Sequence, residues 1–221
     1  MLGNYDYTVW LTYLSAILGV TGTLFGVAGS GHPWTAGVCL ILCAILDGFD
    51  GRVARSKKNR TEREKRYGIE IDSFADTISF GLLPCALVYA MAKALAPEAA
   101  PVFSAAFFVI APLFVLTAII RLSSFNIQAG DALETGTKAF TGLPVTSSGF
   151  LWPQLLLIQF FLRDTFNLLP ICLVVMVVQG FLFLFKPLRI HKMGLKPILV
   201  LALIGAAEII FLGYLFIHYG I

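Results

Sequence analysis

Apolar runs of about 20 residues recur along the chain, the length that crosses a hydrocarbon core of about 30 Å at a helical rise of about 1.5 Å per residue. Of the 221 residues, 58% are hydrophobic and only 13% charged, and the mean hydropathy is +0.84, well above what a soluble core requires. Together these features make the chain an all-α polytopic membrane protein. The expected spans cover residues 8–28, 34–46, 72–95, 102–120, 149–162, 168–185 and 198–217. They use up the length, so residues 1–221 read as one integral membrane domain with no separate soluble part. The N-terminus, MLGNYDYTVW, lacks a positive region and leads directly into a span, so no cleavable signal is expected. Cys39, Cys43, Cys85 and Cys172 all lie in apolar runs and read as small hydrophobes, with no metal-ligand spacing and no disulfide framework.

Individual spans carry more specific expectations. The second is too short to cross unless its helix continues through Asp47, Asp50 and Arg55. The third is expected to begin near Asp72, with its carboxylates in the first turn. The charged stretch at 56–67 alternates in sign closely enough to suggest a short helical extension. Pro101 is placed to open the fourth span, with Arg121, Phe125 and Asn126 at and beyond its end. A long polar loop over 128–148 follows, shaped by Gly142 and Pro144.

Lysine and arginine set the orientation. Arg52, Arg55, Lys57, Lys58, Arg60, Arg63, Lys65 and Arg66 fall on one side with Arg121, Lys138, Lys186, Arg189, Lys192 and Lys196, whereas Lys93 and Arg163 fall on the other. Fourteen against two is a strong positive-inside bias, which puts the 47–81 region at the cytoplasmic membrane surface. Seven crossings then leave the N-terminus inside and the C-terminus outside. The net charge is only +3 and the basic residues are clustered, which suits a membrane-facing patch and not the wide stripe of a nucleic-acid binder.

Within 47–81 lie four aspartates in two pairs. Asp47 and Asp50 are three apart and Asp72 and Asp76 four apart, so each pair shares one face of a helix. Four carboxylates brought together must take up protons or bind cations, and hard divalent ions such as Mg²⁺ or Mn²⁺ suit oxygen ligands and a substrate phosphate. Two ions about 4 Å apart can clamp a phosphoryl group between attacking and leaving oxygens. Gly48 and Gly51 leave room for a ligand beside the first pair, and Arg55, just over two turns after Asp47, is placed to meet a phosphate. An acidic pair at a helix start is often only a match to the helix dipole, which applies to Asp72 and Asp76 and not to Asp47 and Asp50. A cation carrier or non-enzymatic scaffold is the reading from another class, but at mid-membrane the chain offers Glu208 alone, better suited to helix–helix hydrogen bonding.

The residues Asp47, Asp50, Gly51, Ala54, Arg55, Gly68, Asp72 and Asp76 match every defined position of D-x-x-D-G-x-x-A-R followed by G-x-x-x-D-x-x-x-D. On that motif the chain resembles the CDP-alcohol phosphatidyltransferase family, membrane enzymes that displace CMP from a CDP-linked lipid with an alcohol. The resemblance implies a six-helix core with the last span as an addition. It implies two divalent cations held by Asp47, Asp50, Asp72 and Asp76, with Asp76 also the general base. It implies a CDP site formed by Asp47, Asp50, Gly51, Ala54, Arg55, Gly68 and Asp72. Two features depart from the family. The spacer from Arg55 to Gly68 holds twelve residues, about one helical turn more than usual. Tyr5, Asp6 and Tyr7 stand where the family often has Pro-Asn.

The stretch from Asp72 to Gly81, the group Arg121, Phe125 and Asn126, and the run from Phe140 to Pro144 are similar to the serine-accepting branch. They imply transfer from CDP-diacylglycerol to L-serine with CMP as product. Arg121 and Asn126 are candidates for the acceptor or the lipid phosphate, although Arg121 also suits a membrane-surface anchor. Glycerol 3-phosphate, inositol or inositol phosphate are the alternative acceptors. Homodimers are a family expectation, and Gly19, Gly22 and Gly26 permit close packing within one chain or between two. His32, His191 and His218 form no cluster and receive no catalytic role.

Overall fold

A computed structural model describes residues 6–98, 100–135, 142–162, 164–187 and 195–219. Tyr5, Lys138, Phe140, Arg163, Arg189, His191 and Lys192, used above, lie outside the described residues. A 3-10 turn at Tyr7–Val9 leads into α1 (Trp10–Val27), then α2 (Pro33–Ser56) and α3 (Glu62–Asp76). A π-helical turn, Thr77–Leu82, joins α3 to α4 (Leu83–Leu95). After α5 (Ala100–Thr135), a second 3-10 turn at Val145–Ser147 precedes α6 (Ser148–Leu162), α7 (Leu169–Leu184) and α8 (Leu195–Tyr219). Because α3, the π turn and α4 form one continuous 34-residue rod, Glu62–Leu95, the described residues make seven rods. Among the described residues, five stretches are long and apolar enough to cross a membrane: Tyr7–Val27, Glu62–Leu95, Phe103–Gln128, Val145–Leu162 and Pro197–His218. The chain is an integral polytopic membrane protein, a six-helix arrangement with an added C-terminal helix.

Two helices depart from the expected boundaries. α3 starts at Glu62, ten residues before Asp72, so the aspartates sit well inside the rod and not in its first turn. Thr61 supplies the start through a capping box: its side chain accepts from the Glu64 amide at 3.2 Å, and its own amide donates to Glu64 Oε2 at 2.8 Å. The residues that follow, EREKRY, are mostly good helix formers, and Lys65 pairs with Glu62 at 2.7 Å on the same face. The expected short helical extension is therefore real, and the dipole explanation for Asp72 and Asp76 falls away. α5 likewise runs on to Thr135, placing Arg121 and Asn126 within a helix and not at its end. The stretch from Arg121 to Thr135 contains no proline, and its one glycine, Gly130, costs about 1 kcal/mol, so nothing there stops the helix.

α1 turns its small and polar face inward. Thr12, Ser15, Gly19, Gly22 and Gly26 are buried, whereas Trp10, Ile17 and Leu24 are more than 60% exposed. Lipid tails are as apolar as leucine, so contact here rests on close approach of backbones. A Cβ on Gly19 would meet Ser79 Oγ at 2.8 Å, one on Gly22 the Cys39 Cβ at 2.7 Å, and one on Gly26 the Ala86 carbonyl oxygen at 2.9 Å. This stripe is spent within the chain, on α2, the π turn and α4. α6 meets α2 in the same way, a Cβ on Gly149 falling 2.5 Å from the Ala44 Cβ. α8 covers the outer flank of α2, where a Cβ on Gly205 would lie 2.9 Å from Ile41. The four cysteines are free and buried, as their apolar surroundings suggested. Glu208 is also buried, and its Oε1 has no hydrogen-bond partner among the described residues.

At the centre Trp152 donates its indole N–H to Gln179 Oε1 at 3.0 Å, and the Gln179 amide nitrogen lies 3.2 Å from both Ser147 Oγ and Ser148 Oγ. Gln159 accepts from the Leu168 amide at 2.7 Å, so the α6–α7 link has its backbone donor satisfied inside the bundle.

Candidate active site

The polar end of α2 and the middle of α3 lie side by side. One carboxylate oxygen from each of Asp47, Asp50 and Asp72 falls within 4.8 Å of the others. Asp76, one turn beyond Asp72, is outside that triad and is the most sheltered of the four, with 8% of its surface exposed. It is close enough to feel the charges of Asp47, Asp72 and Asp50. Across from Asp76 and Asp47 stands Arg121 of α5, a countercharge to a group of four acids. Its guanidinium lies 5.0 Å from the centre of the Phe125 ring, and its Nε is buried without a hydrogen-bond partner. The remaining negative charge calls for a cation. Three hard oxygen donors at this separation match a divalent ion, whose opposite ligands lie about 4–5 Å apart. The triad can thus hold one divalent cation.

Neighbouring elements fix these side chains. Thr12 of α1 donates to Asp50 Oδ2 at 3.4 Å, and Asp50 faces Asp72 within the triad. Tyr13 and Tyr67 meet hydroxyl to hydroxyl at 2.8 Å, tying α1 to α3, and Tyr7 OH lies 3.2 Å from Ser56 Oγ at the end of α2. Lys57 bridges Asp6 and Glu64, the latter at 2.8 Å. Asp6 first and Glu64 second favour the ammonium form and raise the lysine pKa above its ordinary 10.5. Asp6 and Tyr7 therefore act as a strap over the start of the spacer. On the α5 side, Ser73 Oγ lies 3.0 Å from Asn126 Oδ1 and 3.1 Å from the Ile69 carbonyl oxygen, its one hydrogen shared between the two acceptors. Asn126 is thereby occupied in joining α5 to α3.

Two cavities flank α2 here. One, of about 170 Å³, is lined by Thr12, Asp50, Gly51, Ala54, Arg55, Arg60, Gly68 and Asp72 among others, and so gathers most of the motif. The second, of about 240 Å³, lies toward α6 and α8 and is lined by Asp47, Gly48, Arg52, Thr146, Phe150, Ile198 and Leu201 among others. Gly51 and Arg55 border both. A Cβ on Gly51 would come 3.3 Å from an Arg55 guanidinium nitrogen, and one on Gly48 would come 3.2 Å from Ile198. Gly142, with φ of +85°, takes a backbone angle that favours glycine, and a Cβ there would strike the Phe183 carbonyl oxygen at 2.5 Å. Together with Pro144 it brings the chain to Thr146, as the sequence suggested.

Sequence reasoning brought the four aspartates, Gly51, Ala54, Arg55, Gly68 and Arg121 to one end of the bundle, and the structure places them there. It missed Thr12, Arg60, Thr146 and Ile198. A hydroxyl in an apolar span and an apolar residue in a distant helix give no local signal, but Arg60 sits in the one part of the motif region whose length departs from the pattern.

A metal-fitting carboxylate cluster between two helices at the polar end of a membrane bundle, beside a cavity built from the motif, defines the class. The family model for CDP-alcohol phosphatidyltransferases matches residues 8–217, and the chain belongs to that family. It is similar to the archaetidylserine synthase of Methanothermobacter thermautotrophicus, 36% identical over 135 residues, covering 61% of this chain and 51% of the relative. It also resembles the CDP-diacylglycerol–serine O-phosphatidyltransferases of Mycobacterium leprae, 34% identical over 137 residues, and Saccharomyces cerevisiae, 31% identical over 150 residues. Those matches cover 61% and 65% of this chain and 41% and 49% of the relatives, so the chain spans about half the length, or less, of the relatives it matches.

Proposed function

We propose that this chain transfers a phosphatidyl group from CDP-diacylglycerol to the hydroxyl of L-serine, giving a phosphatidylserine-type lipid and CMP. The observation that carries this reading is the triad of Asp47, Asp50 and Asp72 oxygens within 4.8 Å, set beside the cavity that Gly51, Ala54, Arg55 and Gly68 line. Serine as acceptor is supported by the names of the relatives. Asp47, Asp50, Asp72 and Asp76 are the residues that would hold two ions, Mg²⁺ or Mn²⁺. When bound, these cations neutralise the diphosphate and make CMP a better leaving group.

The chain's own groups do the rest. Gly51, Ala54 and Gly68 line the cavity that the nucleotide enters, the two glycines seating the guanidinium groups of Arg55 and Arg60, and Arg55 donates to its phosphate oxygens. Asp76 accepts the proton of the serine hydroxyl as that oxygen bonds to the lipid-linked phosphorus and the bond from phosphorus to CMP breaks. Arg121, opposite Asp76, offers donors to the lipid phosphate or the serine carboxylate. The lysine and arginine bias supports a site on the cytoplasmic side, within a single catalytic domain whose motif region is 47–81. A homodimer is part of the proposal on family grounds.

CMP release by purified protein tests this, with CDP-diacylglycerol or a CDP-linked ether lipid as donor. L-serine, glycerol 3-phosphate, inositol and inositol phosphate are offered separately. Release with serine alone, abolished by EDTA, is the expected result. Release with another alcohol only would keep the chemistry and replace the acceptor, and release with none would end the transfer reading.

A further inference from the structure

Arg60 belongs to the spacer that is about one turn longer than the family pattern, and its side chain does not point out to solvent. It folds back over the end of α2 and the start of α3, with Nη1 3.5 Å from the Ala54 carbonyl oxygen and Nη2 3.1 Å from the Glu64 carbonyl oxygen. The guanidinium presses on Gly68, where a Cβ would fall 2.7 Å from Nη2. Gly68 is thus the cradle of this arginine, and any side chain there would displace it. Arg60 lines the cavity that holds Asp50, Gly51, Arg55 and Asp72, and its Nε is buried with no hydrogen-bond partner. A sheltered donor left unmatched is costly, about 1–3 kcal/mol, and more for a charged group. The Ala54 and Glu64 carbonyls engage only two of the five N–H donors of the guanidinium, so Arg60 has terminal donors to spare in the cavity it lines.

Its height in the cavity says which part of a ligand it meets. Gly68 is one turn, about 6 Å, from Asp72 along α3, on the side away from the apolar spans. A CDP-lipid whose diphosphate sits at the aspartates sends its acyl chains toward the bilayer and its nucleoside the opposite way, to Gly68 and Arg60. The base beyond the ribose presents O2 and N3 as adjacent acceptors in cytosine, and a guanidinium edge offers two parallel donors. Uracil replaces the N3 acceptor by an N–H, which would face a donor.

We propose that Arg60, supplied by the lengthened spacer and seated on Gly68, reads the O2 and N3 edge of the cytosine and sets the preference for cytidine nucleotides. The proposal rests on the phosphatidyl-transfer reading. Lys65 lines the same cavity but pairs with Glu62, so the base falls to Arg60.

The test is binding of CDP and of UDP to the purified protein with Mn²⁺, by titration calorimetry, for the parent chain, Arg60→Lys and Gly68→Ala. The parent is expected to favour CDP by about tenfold or more, as one good bidentate pair discriminates between bases. Arg60→Lys keeps the charge but loses the fork, and Gly68→Ala keeps Arg60 but unseats it. Both are expected to bring the CDP-to-UDP ratio close to one, Arg60→Lys with UDP affinity little changed and Gly68→Ala with both nucleotides weakened but CDP the more. A thermal melt accompanies each, and a merely structural role for Arg60 would lower stability and weaken both nucleotides alike. An unchanged ratio in Arg60→Lys, or an equal loss for CDP and UDP, overturns the proposal and leaves the transfer reading standing. A parent chain that binds neither nucleotide overturns both.

Discussion

The polar end of the bundle and its membrane-level interior are held together by opposite means. At the polar end, side chains meet through hydroxyls, carboxylates and cations: Thr12 with Asp50, Tyr13 with Tyr67, Lys57 with Asp6 and Glu64, Ser73 with Asn126. In the interior, glycines let helices touch, and Trp152, Phe80, Leu87 and Met91 are fully buried. The difference teaches where change is tolerated. A charge altered at the polar end is met by water, ions and substrate, whereas a methyl group added between two helices has nowhere to go. The first region can vary in chemistry without loss of the fold, and the second protects the fold without touching the chemistry.

Chelation by EDTA should separate the regions most sharply, reducing CMP release to background while the far-ultraviolet helix signal holds; a retained rate would remove the metal from the account. Asp76→Asn comes next, with turnover expected to fall about 10²–10⁴-fold, the range of a general base, and CDP-lipid binding kept. Wild-type turnover in that variant would take the base role away from Asp76. Gly149→Val tests the interior, where the new side chain must push α6 from Ala44 of α2. A loss of about 1–3 kcal/mol is expected, seen as a lower melting temperature with KM for serine unchanged in the folded fraction. A melting temperature equal to that of the parent would mean that the α2–α6 contact is loose. Thr61→Ala should have the smallest effect, about 1 kcal/mol from the lost cap. It should appear as faster amide exchange in the first turn of α3 and leave the exchange of α6 and α7 as it was.

Much of this was legible from residue order. Apolar runs gave each rod, and most rod ends to within a few residues, although α3 starts ten residues early and α5 runs fifteen residues on; the aspartate spacings pointed to one cluster, of which the structure gathers Asp47, Asp50 and Asp72. Both depend on local periodicity. Three things were not. The start of α3 was hidden since a charged segment reads equally as loop or as solvated helix, and only the Thr61–Glu64 box decides it. The π turn at Thr77–Leu82 leaves no mark in composition, yet it shifts the phase of the rod, so the carboxylate face of α3 and the core face of α4 need not lie on one stripe. The roles of Thr12, Arg60, Thr146 and Ile198 arise from contacts between segments distant in sequence or from a chain folded back on itself, which periodicity does not register.

The uninterrupted rod from Glu62 to Leu95 also works as a depth gauge. Its 34 residues measure about 51 Å along the axis, while the hydrocarbon layer takes up about 30 Å, or roughly 20 residues. Counted back from Leu95, those residues are used up close to Asp76, which leaves Asp72 about one turn outside the oily layer and Gly68 two. The carboxylates then stand at the level where a phospholipid carries its phosphate. A lipid substrate could reach them by sliding sideways within its own leaflet, its chains never leaving the membrane, while a water-soluble partner arrives from above. The rod would meet the two at one height simply by being the length it is.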